Sequence, residues 1–345
     1  MKTAFPINMI RSVRLARSVF FTAVLLLPLL CGCGSKQPIT KSGFYFDTVI
    51  TVTLYDPSKT KELDHCFALA ELYESYFSAQ RKDSDISKIN ANAGRPVRVH
   101  KETRQLLEQS ILHAKQSGGK FDPTIGRLTS LWDFHAKPPA LPDADAVKAA
   151  AATVDYRKIV IDENEVTLSD ADAALDLGGI AKGYIADKMK AYLQGEGITS
   201  GLINLGGNVL AIGEKPDGSA YTIGIQKPFD ETGEPIASVS VSDQTVVTSG
   251  IYERSFTLDG RCYHHILDTD TGYPYENELL SVSVICASSA DGDGLSTACF
   301  ALGLEKGLAY IESLDQTEAI FITSDYKLHG TSGIGTTIPI KEMSD

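Results

Sequence analysis

The region from Gly201 to Cys286 alternates short runs rich in β-branched residues with turns rich in glycine and proline. Such a pattern predicts successive β-strands. Apolar residues recur with helical spacing before this region, at about 62–80, 101–116 and 181–194, and a closing strand is expected at about 319–323. Because helices and strands are grouped and do not alternate strictly, the sequence predicts an α+β fold. We expect a single compact domain in which a mixed or antiparallel core sheet is surrounded by helices.

The amino terminus has the features of an export signal. Four basic residues and no acidic residue accompany an apolar run from Val19 to Leu30. The run contains Pro28 and is about a dozen residues long, whereas a helix that spans a bilayer needs about twenty. A permanent membrane span is therefore the weaker interpretation.

The segment that follows, Leu30-Cys31-Gly32-Cys33, resembles a bacterial lipobox. The resemblance implies cleavage after Gly32 and acylation of Cys33, with palmitate among the acyl chains. Several chains would hold the protein stably on a membrane, because a single chain binds only marginally. We expect a lipoprotein signal peptide over 1–32, a tether over 33–42 and one domain over 43–345. The location expected is extracytoplasmic, anchored by lipid to a bacterial membrane.

The charge and the cysteines exclude several classes of protein. The formal net charge is −12 and no run of Lys or Arg occurs, so no nucleic-acid partner is expected. Four cysteines lie outside the lipobox and none belongs to a CxxC pair, which argues against a zinc site or a thioredoxin-like centre. An exported protein can form disulfides, yet apolar surroundings favour buried thiols at Cys286 and Cys299.

The stretch from Asp291 to Phe300 places Asp293 and Thr297 four residues apart at the start of a predicted helix. Side chains with this spacing share one helix face, so a carboxylate and a hydroxyl can bind the same hard cation. The first-turn N–H groups of the helix would favour phosphate nearby. The alternative is an ordinary N-cap aspartate. An EF-hand loop does not fit, because its twelfth position would be Phe300 in place of Glu.

A second stretch, Asp176 to Lys182, has two adjacent glycines just before a predicted helix. Glycines allow a ligand to approach the backbone and expose a carbonyl oxygen to a cation. The alternative is a plain strand-to-helix turn in which Asp176 caps the helix and Lys182 is solvated. Neither the dinucleotide-binding nor the phosphate-loop motif matches the spacing.

Two further stretches carry polar side chains suited to catalysis. His264 and His265 end a predicted strand, where neighbours point to opposite faces, so only one of them can face a given site. A neutral histidine can accept a proton from a hydroxyl group, although a structural role is also common for a strand histidine. The stretch from Thr248 to Arg254 combines hydroxyl groups with a guanidinium, which suits phosphate binding or an ordinary turn with an ion pair.

Seven motifs in this order resemble the ApbE family of FAD:protein FMN transferases, over about residues 43 to 325. They are Phe121-Asp122-Pro123-Thr124, Asp176 to Gly183, Asn204-Leu205-Gly206-Gly207-Asn208, Ile225-Gln226-Lys227-Pro228, Thr248-Ser249-Gly250, His265 to Pro274, and Asp293 to Thr297.

The resemblance implies magnesium-dependent transfer of FMN from FAD to a threonine of an acceptor protein, through a phosphoester bond, with release of AMP. Some members of the family mainly hydrolyse FAD to FMN and AMP, so an FAD pyrophosphatase is an alternative. A flavin-binding lipoprotein without catalysis is another. The expected partners are FAD, the membrane, and an exported or membrane redox protein that bears the acceptor threonine.

The resemblance also implies roles for individual residues. Magnesium would be bound by Asp293, Thr297 and the carbonyl oxygen of Gly179, and His265 would be the catalytic base. The FAD contacts implied are Phe46, Lys120, Phe121, Asp122, Asp176, Lys182 and Leu267. One departure is Phe46-Asp47-Thr48, where many members have Met-Gly-Thr.

Overall fold

The computed structural model describes residues 37–230 and 232–343. The expected signal peptide, Cys31 and Cys33 lie outside the described residues. Among the residues that are described, no helix is both long and apolar enough to cross a membrane.

From Ser200 to Cys286 all the regular elements of the described residues are strands, as the turn pattern predicts. In the described part the strands are β1 (Ile39–Tyr45), β2 (Thr48–Leu54), β3 (Val97–Arg98), β4 (Ile159–Asp162), β5 (Glu165–Leu168), β6 (Ser200–Leu205), β7 (Asn208–Gly213), β8 (Tyr221–Gln226), β9 (Pro235–Val241), β10 (Thr245–Gly250), β11 (Ser255–Leu258), β12 (Arg261–His264), β13 (Leu279–Cys286), β14 (Glu318–Thr323), β15 (Leu328–Gly330) and β16 (Ile340–Glu342).

The helices of the same ranges precede, interrupt and follow these strands. They are α1 (Thr60–Phe77), α2 (Asp85–Ala91), α3 (Lys101–Gln116), α4 (Gly126–Thr129), α5 (Ala144–Ala151), α6 (Ala181–Gly195), α7 (Ser289–Leu302) and α8 (Leu304–Glu312), with a 3₁₀ turn at Tyr156–Lys158.

Eight strands form the main sheet, in the order β1-β2-β6-β7-β10-β13-β14-β15. Every ladder in it is antiparallel, so the α+β prediction is confirmed and the core sheet is the antiparallel one of the two alternatives. Smaller sheets are formed by β16-β9-β8, by β3-β5-β4 and by the hairpin β11-β12.

The main sheet is covered on both faces. On one face, alternate residues of β2 (Ile50, Val52 and Leu54) are fully buried in a core that includes apolar residues of α1 and α6. On the other face the sheet β16-β9-β8 packs over β10, β13 and β14. Strand β13 is buried along its whole length, because it lies between the two layers.

The amino-terminal strand differs from the one that the sequence pattern predicts. The β-branched and aromatic residues over 44–55 predict a single strand, but the chain forms the hairpin β1–β2, with Phe46 and Asp47 as its two turn residues. Strand β1 begins at Ile39, within the range 33–42 that the sequence predicts as a tether. Sequence periodicity also misses α2 and α8, which are short.

The four described cysteines are free thiols, and Cys286 and Cys299 are buried as predicted.

Candidate active site

The candidate site is built where the amino terminus of α6 crosses α7. A Cβ on Gly183 would overlap the carbonyl oxygen of Ser289, so only glycine permits this approach of the two helices. The N–H of Gly183 donates to Oδ2 of Asp293 (3.0 Å), and Nζ of Lys182 lies 3.7 Å from Oδ1 of the same carboxylate. The crossing therefore fixes the Asp293 carboxylate through a backbone N–H group and places the ammonium group of Lys182 beside it.

The start of α7 is closed by protein groups. Ser288 is the N-cap and accepts from the N–H of Asp291, while the carboxylate of Asp187 accepts from the N–H groups of Ser289 (2.8 Å) and Ala290 (2.9 Å). The expectation that these first-turn N–H groups are available to phosphate is therefore wrong. Asp293 lies further along the helix, so it is not the N-cap.

Oxygen donors converge around Asp293, which is only 4% exposed. Thr297 follows one turn later, and its Oγ1 would lie 3.7 Å from a Cβ built on Gly179. The Ser249 hydroxyl lies 3.2 Å from the same Oγ1 and 2.8 Å from the Ser296 hydroxyl. A carboxylate, hydroxyls and a carbonyl are the hard ligands that magnesium prefers. The described residues contain no cluster of three or more His, Cys, Asp or Glu side chains for a metal, so a cation here would depend on these neutral oxygens as well as on Asp293.

The loop from Asp176 to Lys182 is more than a plain turn. The Asp176 carboxylate accepts from the N–H of Gly178 (2.8 Å) and from the hydroxyl of Thr129 (2.7 Å). Lys182 donates to the carbonyl oxygen of Gly178 (3.0 Å) and faces Asp293, so it is not simply solvated.

Glu253, Arg254 and His265 lie beside this loop. Glu253 is open to solvent on one side, yet desolvation by the surrounding protein raises the pKa of its carboxyl group, an effect that Lys182 and Arg254 oppose and Asp293 reinforces. Burial, followed by the charges of Arg254 and Lys182 and the neighbouring imidazole, lowers the pKa of His265 to about 3. The His265 imidazole is therefore neutral near pH 7. Its Nδ1 is buried and has no hydrogen-bond partner among the described residues.

His264 has a structural environment. It is 5% exposed, its Nε2 lies 3.0 Å from the carbonyl oxygen of Tyr275, and its Nδ1 accepts from the N–H of Ile266 (3.3 Å). The ring also packs edge-on against Phe300. Both nitrogens are therefore used within the fold, which leaves His265 as the histidine that faces the candidate site.

One wall of the site joins the loop that contains Lys120 to the turn after β12. Nζ of Lys120 lies 2.9 Å from Oδ2 of Asp270 and 3.9 Å from Oδ1 of Asp268. The hydroxyl of Thr269 donates to the carbonyl oxygen of Gly119 (2.9 Å). These contacts connect two segments that the sequence analysis assigns separately to FAD binding.

The remaining predicted FAD contacts are spread over the walls. Phe121 is buried, with its ring edge 3.2 Å from a Cβ built on Gly179. One oxygen of the Asp122 carboxylate accepts from Thr124 and the other from the N–H of Tyr156 in the 3₁₀ turn, so both are used within the fold. The Leu267 side chain is buried in a small apolar cluster, as expected for a residue whose contact would be made through backbone.

Phe46 lies at the hairpin turn between β1 and β2, and its partly buried side chain packs against the core that includes apolar residues of α1 and α6. It is linked to the site through its neighbour Asp47, whose Oδ2 lies 3.3 Å from a guanidinium nitrogen of Arg254. The structure thus brings Gly179, Lys182, Asp293 and Thr297 together, and leaves Phe46 at the edge.

Sequence patterns alone do not assign Ser249, Glu253 and Arg254 to the site. The sequence does indicate a possible phosphate-binding role for these residues, because the stretch from Thr248 to Arg254 combines hydroxyl groups with a guanidinium. What the sequence could not show is that β10 ends beside α7, which brings Ser249 against Thr297.

A carboxylate and hydroxyls that fit a hard cation, next to cationic side chains and a neutral imidazole, define an α+β protein equipped to bind and react with a phosphate ester. The model of the ApbE family matches residues 46–321 of this chain. The chain belongs to the ApbE family.

The relatives and a solved structure agree with this assignment. The chain is 36% identical to the FAD:protein FMN transferase of Treponema pallidum over 342 residues, which cover 92% of this chain and 94% of the relative. It is 40% identical to an FAD:protein FMN transferase of Klebsiella pneumoniae over 262 residues, 75% of this chain and 81% of the relative. The crystal structure of the ApbE protein from Thermotoga maritima superposes with a TM-score of 0.79 at 26% identity and covers 86% of this chain and 97% of its own.

Proposed function

We propose that this protein is an FAD:protein FMN transferase, which moves the FMN half of FAD to a threonine of an acceptor protein and releases AMP. Its relatives carry the name of this activity. The observation that carries the proposal is the convergence of Asp293, Thr297 and Lys182 on one side of a site whose other side holds Arg254 and His265. A flavin-binding protein without catalysis would need neither Thr297 nor His265.

In the proposed reaction, the threonine oxygen forms a bond to the phosphorus of the FMN half. The bond from that phosphorus to the bridging oxygen breaks, and AMP leaves with that oxygen and its electron pair. The hydroxyl proton goes to His265 or to a nearby carboxylate such as Glu253. The unpartnered Nδ1 of His265 supports this role. Phosphates bound beside the imidazole would raise its pKa and make it a stronger base.

The oxygen donors around Asp293 fit magnesium, and we propose Asp293, Thr297 and the Gly179 carbonyl as its protein ligands. The close approach of a bare Gly179 to Thr297 supports this set, because a side chain there would fill the space between them. Magnesium bound at these oxygens would stabilise the negative charge that develops on the phosphates. Lys182, held beside Asp293, would add a fixed positive charge on the protein side.

The test is incubation of the mature protein with FAD, magnesium and an exported redox protein that has an accessible threonine. The proposal expects the acceptor to gain the mass of FMN while AMP is released in equal amount. Release of AMP and free FMN with an unmodified acceptor would favour the pyrophosphatase alternative. Absence of AMP under all conditions would refute catalysis on FAD.

We further propose that the mature protein is lipid-anchored through Cys33 outside the cytoplasmic membrane. The Gly32-Cys33 junction after a basic and apolar segment supports this. Cys33→Ser should remove the acyl chains, whereas the matched change Cys31→Ser should leave them on Cys33. Acyl chains found on Cys31 would contradict the assignment. An anchored domain can modify only exported acceptors or exported loops of membrane proteins.

A further inference from the structure

The turn between β1 and β2 has an uncommon backbone. Phe46 and Asp47 both have positive φ angles, 51° and 57°, which favour glycine or asparagine and are unfavourable for phenylalanine. The turn is held by its contacts: the N–H of Phe46 donates to Oε1 of Glu74 (2.6 Å), and Arg81 lies 3.3 Å from Oε2 of that carboxylate. The backbone is therefore fixed in a conformation that directs the Asp47 side chain.

The Asp47 carboxylate reaches two other segments. Its Oδ2 lies 3.3 Å from a guanidinium nitrogen of Arg254 and 3.9 Å from Nε2 of His135. The side chains of Asp47 and Arg254 are 52% and 43% exposed. An ion pair between side chains this exposed contributes little to stability, so Arg254 can exchange partners at little cost.

Arg254 belongs to the candidate site as well as to this pair. Its carbonyl oxygen accepts from the N–H of His265 (3.1 Å), and its charge is one cause of the lowered pKa of that histidine. A guanidinium beside the catalytic imidazole is suited to phosphate, which it can bind through two parallel hydrogen bonds. In the free protein, the carboxylate of Asp47 pairs with this guanidinium.

We propose that Asp47 weakens FAD binding by competing with the pyrophosphate of FAD for Arg254. The inference rests on the proposed function, because it takes FAD as the ligand. When the pyrophosphate binds, Arg254 leaves Asp47 and the carboxylate remains as a like charge near the phosphates. Both effects oppose binding, so removal of the Asp47 charge tightens it. A role of Asp47 in supporting the fold or in holding Arg254 in place predicts the opposite sign.

The experiment measures the dissociation constant of FAD by flavin fluorescence, with the mature protein in EDTA so that no turnover intervenes. Asp47→Asn keeps the size of the side chain and suits the positive φ angle. We expect FAD to bind about three- to tenfold more tightly to this variant at low salt, as removal of one charge near a protein surface allows. The gain should shrink in high salt.

The matched control is Asp64→Asn. Asp64 pairs with Lys41 at 2.6 Å, with side-chain exposures of 60% and 42%, so the same chemical change is made in a similarly exposed pair. Asp64 lies ten residues before Glu74 in α1, about 15 Å along the helix. FAD affinity should change less than about twofold in this control.

Arg254→Gln completes a double-mutant cycle. If Asp47 acts by competing for Arg254, Asp47→Asn should tighten binding clearly more in the wild-type background than in the Arg254→Gln background, where only the like-charge repulsion is left to relieve. Unchanged or weaker FAD binding by Asp47→Asn overturns the proposal, as does an equal gain in both backgrounds. Failure of the wild-type protein to bind FAD at all would instead overturn the proposed function, and this inference with it.

Discussion

The floor and the rim of the candidate site are built in different ways. The floor is the α6–α7 crossing, where Gly183 and Asp293 are buried, the Asp293 carboxylate accepts from the backbone of Gly183, and Thr297 lies partly buried beside them. The rim consists of exposed ion pairs between distant segments, Asp47 with Arg254 and Lys120 with Asp270. A side chain enlarged at the helix crossing must move two helices, whereas a change at the rim only releases a side chain.

The fixed floor suits catalysis, and the exchangeable ion pairs of the rim suit binding and release of ligands. A metal and a reacting phosphorus need fixed donors, because small displacements of aligned groups reduce catalysis strongly. Entry and release of FAD and of an acceptor need groups that exchange partners, and exposed ion pairs do so at low cost. We therefore expect substitutions at the floor to change catalysis and folding, and substitutions at the rim to change binding.

The largest effect is expected for Asp293→Asn. The amide keeps an acceptor for the N–H of Gly183, so the fold should be retained, but the only charged ligand proposed for magnesium is lost. Turnover of FAD in magnesium should be abolished, as measured by AMP release. A variant that keeps the wild-type rate would exclude Asp293 from the metal site and remove the distinction between floor and rim.

The next effect concerns the two adjacent histidines. His265→Ala should slow transfer by roughly two to four orders of magnitude, the usual contribution of a positioned general base, with FAD binding nearly unchanged. His264→Ala should affect transfer far less and should instead lower the free energy of unfolding, because its imidazole is buried and bonded at both nitrogens. If His264→Ala slows transfer more than His265→Ala, the assignment of the base is wrong.

A smaller effect, on stability, tests the helix crossing. Gly183→Ala should lower the free energy of unfolding by about 1–3 kcal/mol, since the added methyl group overlaps the Ser289 carbonyl. Gly195→Ala is the control in the same helix: nothing lies within 4 Å of its added Cβ, so a change below about 1 kcal/mol is expected. Denaturant unfolding of the two variants measures the difference. Equal stabilities would show that the crossing tolerates displacement.

The sequence predicts the floor better than the rim. The spacing of Asp293 and Thr297, with the family resemblance, is enough to place them on one helix face. The phosphate site expected at the start of α7 is wrong because Asp187, from another helix, takes those N–H groups, and no local pattern shows such a contact. The hairpin turn at Phe46 and Asp47 is missed for a similar reason. The pair Phe-Asp is not a typical two-residue turn sequence, and the turn is held by the carboxylate of Glu74, which accepts from the N–H of Phe46.

The smallest effect is expected at the rim, for Asp270→Ala. Asp270 is exposed, and Lys120 keeps Asp268 as a second partner at 3.9 Å when the 2.9 Å contact is lost. The free energy of unfolding should therefore fall by less than about 1 kcal/mol, and high salt should reduce the difference further. Denaturant unfolding at two salt concentrations measures both. A fall in the free energy of unfolding as large as that for Gly183→Ala would mean that the Lys120 loop is held as rigidly as the floor. The ion pairs of the rim could not then exchange partners easily.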